Sequence, residues 1–138
     1  MDTEIRIERV LPATIGRVYD AWTRADLLVQ WYCPNPSLEL KVDADVRAGG
    51  SYVVEMGPHV VRGTYLEVDP PHRLVFSWKW DGTDDEPTRV EVALTEVADG
   101  TRMLLTHTGF ATGEDAANHR MGWEPELERL AGLLSVRV

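Results

Sequence analysis

The 138-residue chain has little cysteine, little lysine and no long apolar stretch. Its single cysteine, Cys33, excludes an internal disulfide and is typical of a protein in a reducing compartment. Uninterrupted apolar stretches such as residues 27–29 and 52–54 fall far short of the ~18 residues that a membrane span needs. Residues 1–6 contain neither a basic nor an apolar segment, so we expect no secretory signal. The sequence predicts a single domain over residues 1–138, in the cytoplasm and not inserted in a membrane.

Basic charge is also scarce. The chain has 14 Lys and Arg residues against 23 Asp and Glu residues, which gives a net charge of −9. The lysines stand at positions 41 and 79, and the arginines are scattered singly, so no basic face is expected. An acidic surface repels phosphate backbones, and nucleic acid is therefore excluded as an expected partner.

The usual motifs of catalysis and metal binding are missing. The four histidines and Cys33 lack the close spacing of metal ligands, such as Cys-x-x-Cys or His-Glu-x-x-His. No serine lies in a Gly-x-Ser-x-Gly turn, and no glycine-rich phosphate loop follows a strand. We expect no metal, no cofactor and no nucleophilic residue.

The hydrophobic period changes twice along the chain. A strand is predicted at residues 4–10, a helical hairpin at about 14–31 with Thr14 and Thr23 as caps, and a long helix at about 112–135. Between the helices the period is two, which is typical of an antiparallel sheet. The remaining strands are predicted at 38–44, 50–56, 59–68, 73–80, 88–97 and 101–108. The sequence thus predicts an α+β fold with seven antiparallel strands.

Alternation assigns an aromatic-rich face of this sheet to the interior, beneath the long helix. A helix across a curved sheet can leave a cavity, so we expect a binding pocket there. Its predicted lining is Tyr52, Phe76, Trp78, Val92, Met103, Leu105, His107, His119, Trp123 and Leu127. The same aromatic residues could instead be plain core, as large apolar residues usually are. His107 and His119 have the chemistry of a general acid or base, but each could instead be a structural histidine.

Short segments in a fixed order give the chain a resemblance to a known family. They are Leu11-Pro12-Ala13-Thr14, Ala21-Trp22-Thr23, Trp31-Tyr32, Arg47-Ala48-Gly49-Gly50, Gly63-Thr64-Tyr65, Pro70-Pro71, Gly100-Thr101-Arg102, Leu105-Thr106-His107, Gly109-Phe110 and Gly122-Trp123. Together they resemble the Hsp90 ATPase activator homologue 1-like proteins of the START/Bet v 1-like (SRPBCC) superfamily. The resemblance implies a helix-grip fold, β-α-α-β6-α, in which the sheet wraps around the C-terminal helix.

Three functions remain open at this point, because a fold does not fix a function. The first is a binding protein for a small hydrophobic or aromatic ligand. The second is an enzyme of the aromatase/cyclase or dehydratase type acting on such a molecule. The third is an interaction module, including a chaperone partner of the Hsp90-activator kind. A homodimer is a further expectation.

Overall fold

A computed structural model describes residues 3–33 and 37–135, which form an antiparallel sheet and three helices. The elements are β1 (Ile5–Leu11), α1 (Ile15–Thr23), α2 (Ala25–Leu28), β2 (Leu40–Ala44), β3 (Ser51–Met56), β4 (His59–Asp69), β5 (Arg73–Trp80), β6 (Thr88–Val97), β7 (Gly100–Thr108) and α3 (Gly113–Ser135). The predicted order of one strand, two helices, six strands and a helix is confirmed.

The sheet has seven strands in the order β1-β7-β6-β5-β4-β3-β2, and neighbouring strands are antiparallel. Hairpins join consecutive strands from β2 to β7, and β1 then adds to the free edge of β7. The sheet wraps around α3, whose Leu127 and Leu130 are buried in the common core. This is the helix-grip arrangement that the resemblance implies.

The helical hairpin begins as predicted but its second cap is wrong. Thr14 accepts a hydrogen bond from the Arg17 amide at 3.4 Å and caps α1. The Thr23 hydroxyl instead donates to the Tyr19 carbonyl at 2.9 Å, one turn back in its own helix. A threonine at a helix end can bond either forward or backward, and the backward bond leaves α2 without a side-chain cap.

Strand β4 contains a bulge that reverses the direction of its side chains. Tyr65 pairs with Phe76 whereas Glu67 pairs with Val75, so Leu66 is the extra residue. Tyr65 is buried, and Leu66 is 53% exposed. In β5 and β7 the predicted phase holds, because Trp78 and Leu105 are buried against the core.

Gly63 allows β3, β4 and β5 to pack closely beside this bulge. A Cβ atom there would collide with the Ser77 carbonyl and lie 2.6 Å from the Tyr52 ring. The Tyr52 hydroxyl donates to the same Ser77 carbonyl at 2.6 Å. The absence of a side chain at residue 63 therefore permits this contact between strands.

We expect Gly63→Ala to lower the free energy of unfolding by about 2 kcal/mol, because the backbone of β5 cannot move aside cheaply. Gly16→Ala is the matched control, since a Cβ atom on Gly16 in α1 meets nothing within 4 Å. Alanine favours helix over glycine by up to ~1 kcal/mol, so the control variant should be unchanged or more stable. Urea denaturation measures the free energy of unfolding of both variants. Equal stability of the two variants would contradict the close packing at residue 63.

Candidate functional site

The side chains between the sheet and α3 are buried in the common core. Val92, Met103, Leu105 and Leu127 are each at most 1% exposed. A small pocket between the sheet and the α1–α2 hairpin has a volume of about 10 Å³, which is about the space of one water molecule. Its lining is Trp22, Leu28, Tyr32, Val42, Ala44, Tyr52, Val54, Tyr65 and Phe76. A ligand larger than water does not fit there without movement of these side chains.

Two larger clefts open where β5 faces the first half of α3. The tryptophan cleft, of about 260 Å³, is lined by Met56, Trp78, Trp80, Asn118, His119, Gly122, Trp123 and Glu126. The loop cleft, of about 280 Å³, is lined by Trp78, Lys79, Trp80, Thr83, Asp85, Glu86, Thr88, Gly109, Phe110, Ala111, Asp115 and His119. The two clefts share Trp78, Trp80 and His119, so they adjoin.

Three indole rings form the apolar wall of the tryptophan cleft. Trp78 and Trp80 point to the same side of β5 because they are two residues apart. Their ring centroids are 5.6 Å apart at an interplanar angle of 89°. Trp123, from the inner face of α3, lies 5.3 Å from Trp78 at 44°. The three rings therefore meet at an angle rather than stack in parallel.

His107 anchors this wall from behind. Trp123 Nε1 donates to His107 Nδ1 at 3.1 Å, and an indole N–H can only donate, so Nδ1 carries no proton. The proton is then on Nε2, which donates to the Thr88 hydroxyl at 2.7 Å, and Thr88 donates to the Trp78 carbonyl at 3.1 Å. Both ring nitrogens of His107 are thus engaged by protein groups.

Burial, and secondly the electrostatic influence of His119, lowers the pKa of His107 from its ordinary value of 6.5 to about 3. The imidazole is therefore neutral at neutral pH, as the hydrogen bond from Trp123 requires. A histidine in this state is a structural group that fixes two tryptophans.

His119 connects the sheet to α3 at the common boundary of the two clefts. Trp80 Nε1 donates to His119 Nε2 at 2.9 Å, so the proton is on Nδ1, which donates to the Asp115 carbonyl at 2.8 Å. The residue is only partly buried and lines both clefts. Unlike His107, it is reachable by a molecule bound in either cleft.

Glu126 is the group that the sequence analysis missed. It lies on the wall of the tryptophan cleft and is 4% exposed. Within the described part of the chain, its carboxyl group forms no hydrogen bond or ion pair. Burial raises the pKa of this carboxyl well above its ordinary range, and Arg129 only partly opposes the effect. Its spacing from Trp123 and Leu130, three and four residues, is the sequence signal that could have placed it on the inner face of α3.

Comparison with known proteins places the chain in a family. Residues 12–135 match the family described as Activator of Hsp90 ATPase homolog 1-like protein. The chain belongs to this family. Membership confirms the resemblance carried by the short segments of the sequence. No curated protein matches the chain in sequence.

Three solved structures of similar proteins have the same fold as this chain. CV1439 from Chromobacterium violaceum is 27% identical with a TM-score of 0.86, over 99% of this chain and 100% of that chain. CalU16 from Micromonospora echinospora is 26% identical with a TM-score of 0.77, over 96% and 76% of the two chains. DynU16, from the dynemicin biosynthetic locus, is 25% identical with a TM-score of 0.85, over 99% of this chain and 48% of that chain.

The structure distributes the predicted site residues over four places. Trp78, His119 and Trp123 line the clefts, whereas Tyr52 and Phe76 line the small pocket beside the α1–α2 hairpin. Val92, Met103, Leu105 and Leu127 belong to the packed core, and His107 lies behind the tryptophan wall. A role in ligand binding stays a prediction for each of them.

Among residues 3–33 and 37–135, no three His, Cys, Asp or Glu side chains are grouped so that they could hold a metal ion. No helix in those ranges has both the length and the apolar character that crossing a bilayer requires.

The depressed pKa of His107 makes stability depend on pH. The unfolded chain binds a proton at this imidazole below about pH 6.5, whereas the folded protein binds it only near pH 3. Acid therefore favours unfolding in that window, by about 1 kcal/mol per pH unit. We expect the stability advantage of the wild type over His107→Gln to shrink as pH falls from 6.5 to 4. Urea denaturation at each pH measures this difference in the free energy of unfolding, and the exposed His72→Gln is the control. A difference that does not change with pH would contradict the buried neutral imidazole.

Glu126 has the opposite effect on stability. Above about pH 4.5 the unfolded chain loses the proton of this carboxyl group while the folded protein retains it, so stability falls as pH rises. Glu126→Gln keeps the shape and removes the titration, and we expect it to raise the free energy of unfolding at pH 7 by about 1 kcal/mol. The exposed Glu128→Gln, on the same helix, is the control. A destabilised Glu126→Gln would show that the carboxyl group has a partner.

Proposed function

We propose that this protein binds a small organic molecule in the adjoining tryptophan and loop clefts. The observation that carries the proposal is the shared wall of Trp78, Trp80 and His119, which lets one molecule contact both clefts. Sites for small molecules are concave and mostly apolar, with a few placed polar groups. Here the indole rings supply the apolar surface, and His119 and Glu126 supply the polar groups.

The relatives support a small molecule as the ligand. The family has a fold that generally binds small hydrophobic ligands. DynU16 is encoded in a biosynthetic locus, and the proteins of such loci act on or bind small organic compounds. We therefore place the hydrophobic or aromatic ligand expected from the sequence in the clefts beside α3 rather than in the filled interior. The reducing compartment suggested by the single cysteine makes the cytoplasm the proposed location.

An enzyme is the second candidate, and one observation favours it. Glu126 and His119 line the same cleft; burial raises the pKa of the Glu126 carboxyl group, and His119 Nε2 is a hydrogen-bond acceptor that Trp80 occupies. A proton donor beside a proton acceptor is what general acid and base catalysis uses, once Trp80 releases Nε2. An aromatase/cyclase or dehydratase reaction would need the substrate to contact both.

We expect hydrophobic compounds to bind and Trp80→Ala to weaken their binding about tenfold, since it removes a wall shared by both clefts. Trp80 is partly exposed, so its removal should leave the protein folded. Ligand-observed NMR with a panel of polycyclic and fatty compounds measures affinity without interference from tryptophan absorption. Leu66→Ala, on the exposed bulge of β4, is the control.

The results separate the three functions. Binding that Trp80→Ala leaves unchanged would place the ligand outside the clefts and overturn the proposed site. Formation of a product in the same samples would favour the enzyme. If no compound of the panel binds, the interaction module, including a chaperone partner, becomes the preferred function.

A further inference from the structure

The carboxyl group of Glu126 is the least expected chemical feature of the tryptophan cleft. A buried carboxyl group without a hydrogen-bond partner destabilises a protein, because water no longer solvates it. Its helix neighbours on the same face, Trp123 and Leu130, are apolar, so packing alone does not call for an acid there. The group lies on the wall of an open cleft, where a bound molecule can supply the missing partner.

The basic side chain nearest to Glu126 along α3 has other partners. The Arg129 guanidinium donates to the backbone carbonyls of Cys33 and Gln30, the latter at 3.4 Å. It forms no ion pair with Glu126 in the part of the chain that the structure describes. The tryptophan cleft itself is lined by no lysine or arginine among those residues. Glu126 therefore faces the cleft with Arg129 as an electrostatic neighbour but with no lysine or arginine on the cleft wall.

The indole rings of the tryptophan cleft also favour a cation. The face of an aromatic ring attracts a cation, and tryptophan does so most strongly. Trp78, Trp80 and Trp123 surround the space beside Glu126, with Trp78 between the other two. Several indole rings together with one carboxyl group provide a site for an ammonium group.

The surface of the adjoining loop cleft is also acidic. The loop cleft is lined by Asp85, Glu86 and Asp115 against a single lysine, Lys79. The whole chain carries a net charge of −9. This field attracts organic cations and repels organic acids.

We propose that the tryptophan cleft binds an organic cation, whose ammonium group contacts Glu126 and whose apolar part packs against Trp78, Trp80 and Trp123. This inference rests on the proposed function and names its ligand class. Before binding, burial raises the pKa of the Glu126 carboxyl group and so favours its protonated form. An ammonium group stabilises the carboxylate, so the proton leaves to solvent when the ligand binds.

The groups around Glu126 limit what else can release this proton. Tyr32, after α2, and Arg129, on α3, interact with it electrostatically, and His119 lines the same cleft. The strand residues lining the cleft, Met56 from β3 and Trp78 and Trp80 from β5, do not titrate. Burial raises the pKa of Tyr32, so this phenol keeps its proton at neutral pH. Loss of proton release in a Glu126 variant would thus assign it to Glu126.

The test compares 1-adamantylmethylamine with 1-adamantylmethanol, which have nearly the same shape but differ in charge. Isothermal titration calorimetry of the full chain at pH 7, in two buffers of different ionisation enthalpy, gives both affinity and protons released. We expect the amine to bind the wild type about tenfold or more tightly than the alcohol, with proton release for the amine alone. Glu126→Gln should bind the two probes about equally and release no proton. Glu128→Gln should behave as the wild type does.

Equal affinity of the wild type for both probes, or an amine preference that persists in Glu126→Gln, would overturn the cation site while leaving the proposed binding function intact. Failure of both probes to bind also overturns the cation site. Combined with no binding from the hydrophobic panel, that failure would overturn the proposed function as well.

Discussion

The hydrogen bond from Trp123 Nε1 to His107 Nδ1 joins α3 to the sheet, and the walls of the clefts depend on it. Because an indole N–H cannot accept, the bond selects the tautomer of His107. The selected tautomer then donates to Thr88 of β6, which donates to the Trp78 carbonyl of β5. A single chain of donors and acceptors thus connects α3, β7, β6 and β5. Protonation of His107 would place two donors against each other, so the network requires a neutral imidazole.

The large aromatic side chains explain why the open space lies at the end of the interface rather than inside it. Trp22, Trp31 and Tyr32 pack edge to face under the sheet, with ring centroids 4.8 Å and 5.0 Å apart along the series. Their volume fills the region that a smaller set of side chains would leave as a cavity. The tryptophans of the clefts are therefore reached from outside, whereas His107 is shielded.

Glu126 and His107 illustrate two opposite uses of burial. His107 is buried neutral and its hydrogen bonds are complete, so it contributes order to the site. Burial disfavours the charged form of Glu126, yet this residue is the acidic group that the tryptophan cleft offers to a ligand. Functional groups often carry such a cost, because a site optimised only for packing would place an apolar residue there.

The class of fold and the direction of most side chains follow from the hydrophobic periods of the sequence. Alternation in β5 and β7 is a local property of extended backbone, so Trp78 and Leu105 could be assigned to the interior from the sequence alone. The bulge at Leu66 could not be located, because it depends on how β4 pairs with β5. Whether the predicted lining encloses a cavity was likewise undetermined, since it depends on how completely side chains from distant elements fill a shared volume.

The roles of the polar groups, by contrast, depend on the tertiary structure. Only packing of α3 against the sheet gives His107 its two partners, and only the same packing buries Glu126 beside three tryptophans while Arg129 turns to the carbonyls of Cys33 and Gln30.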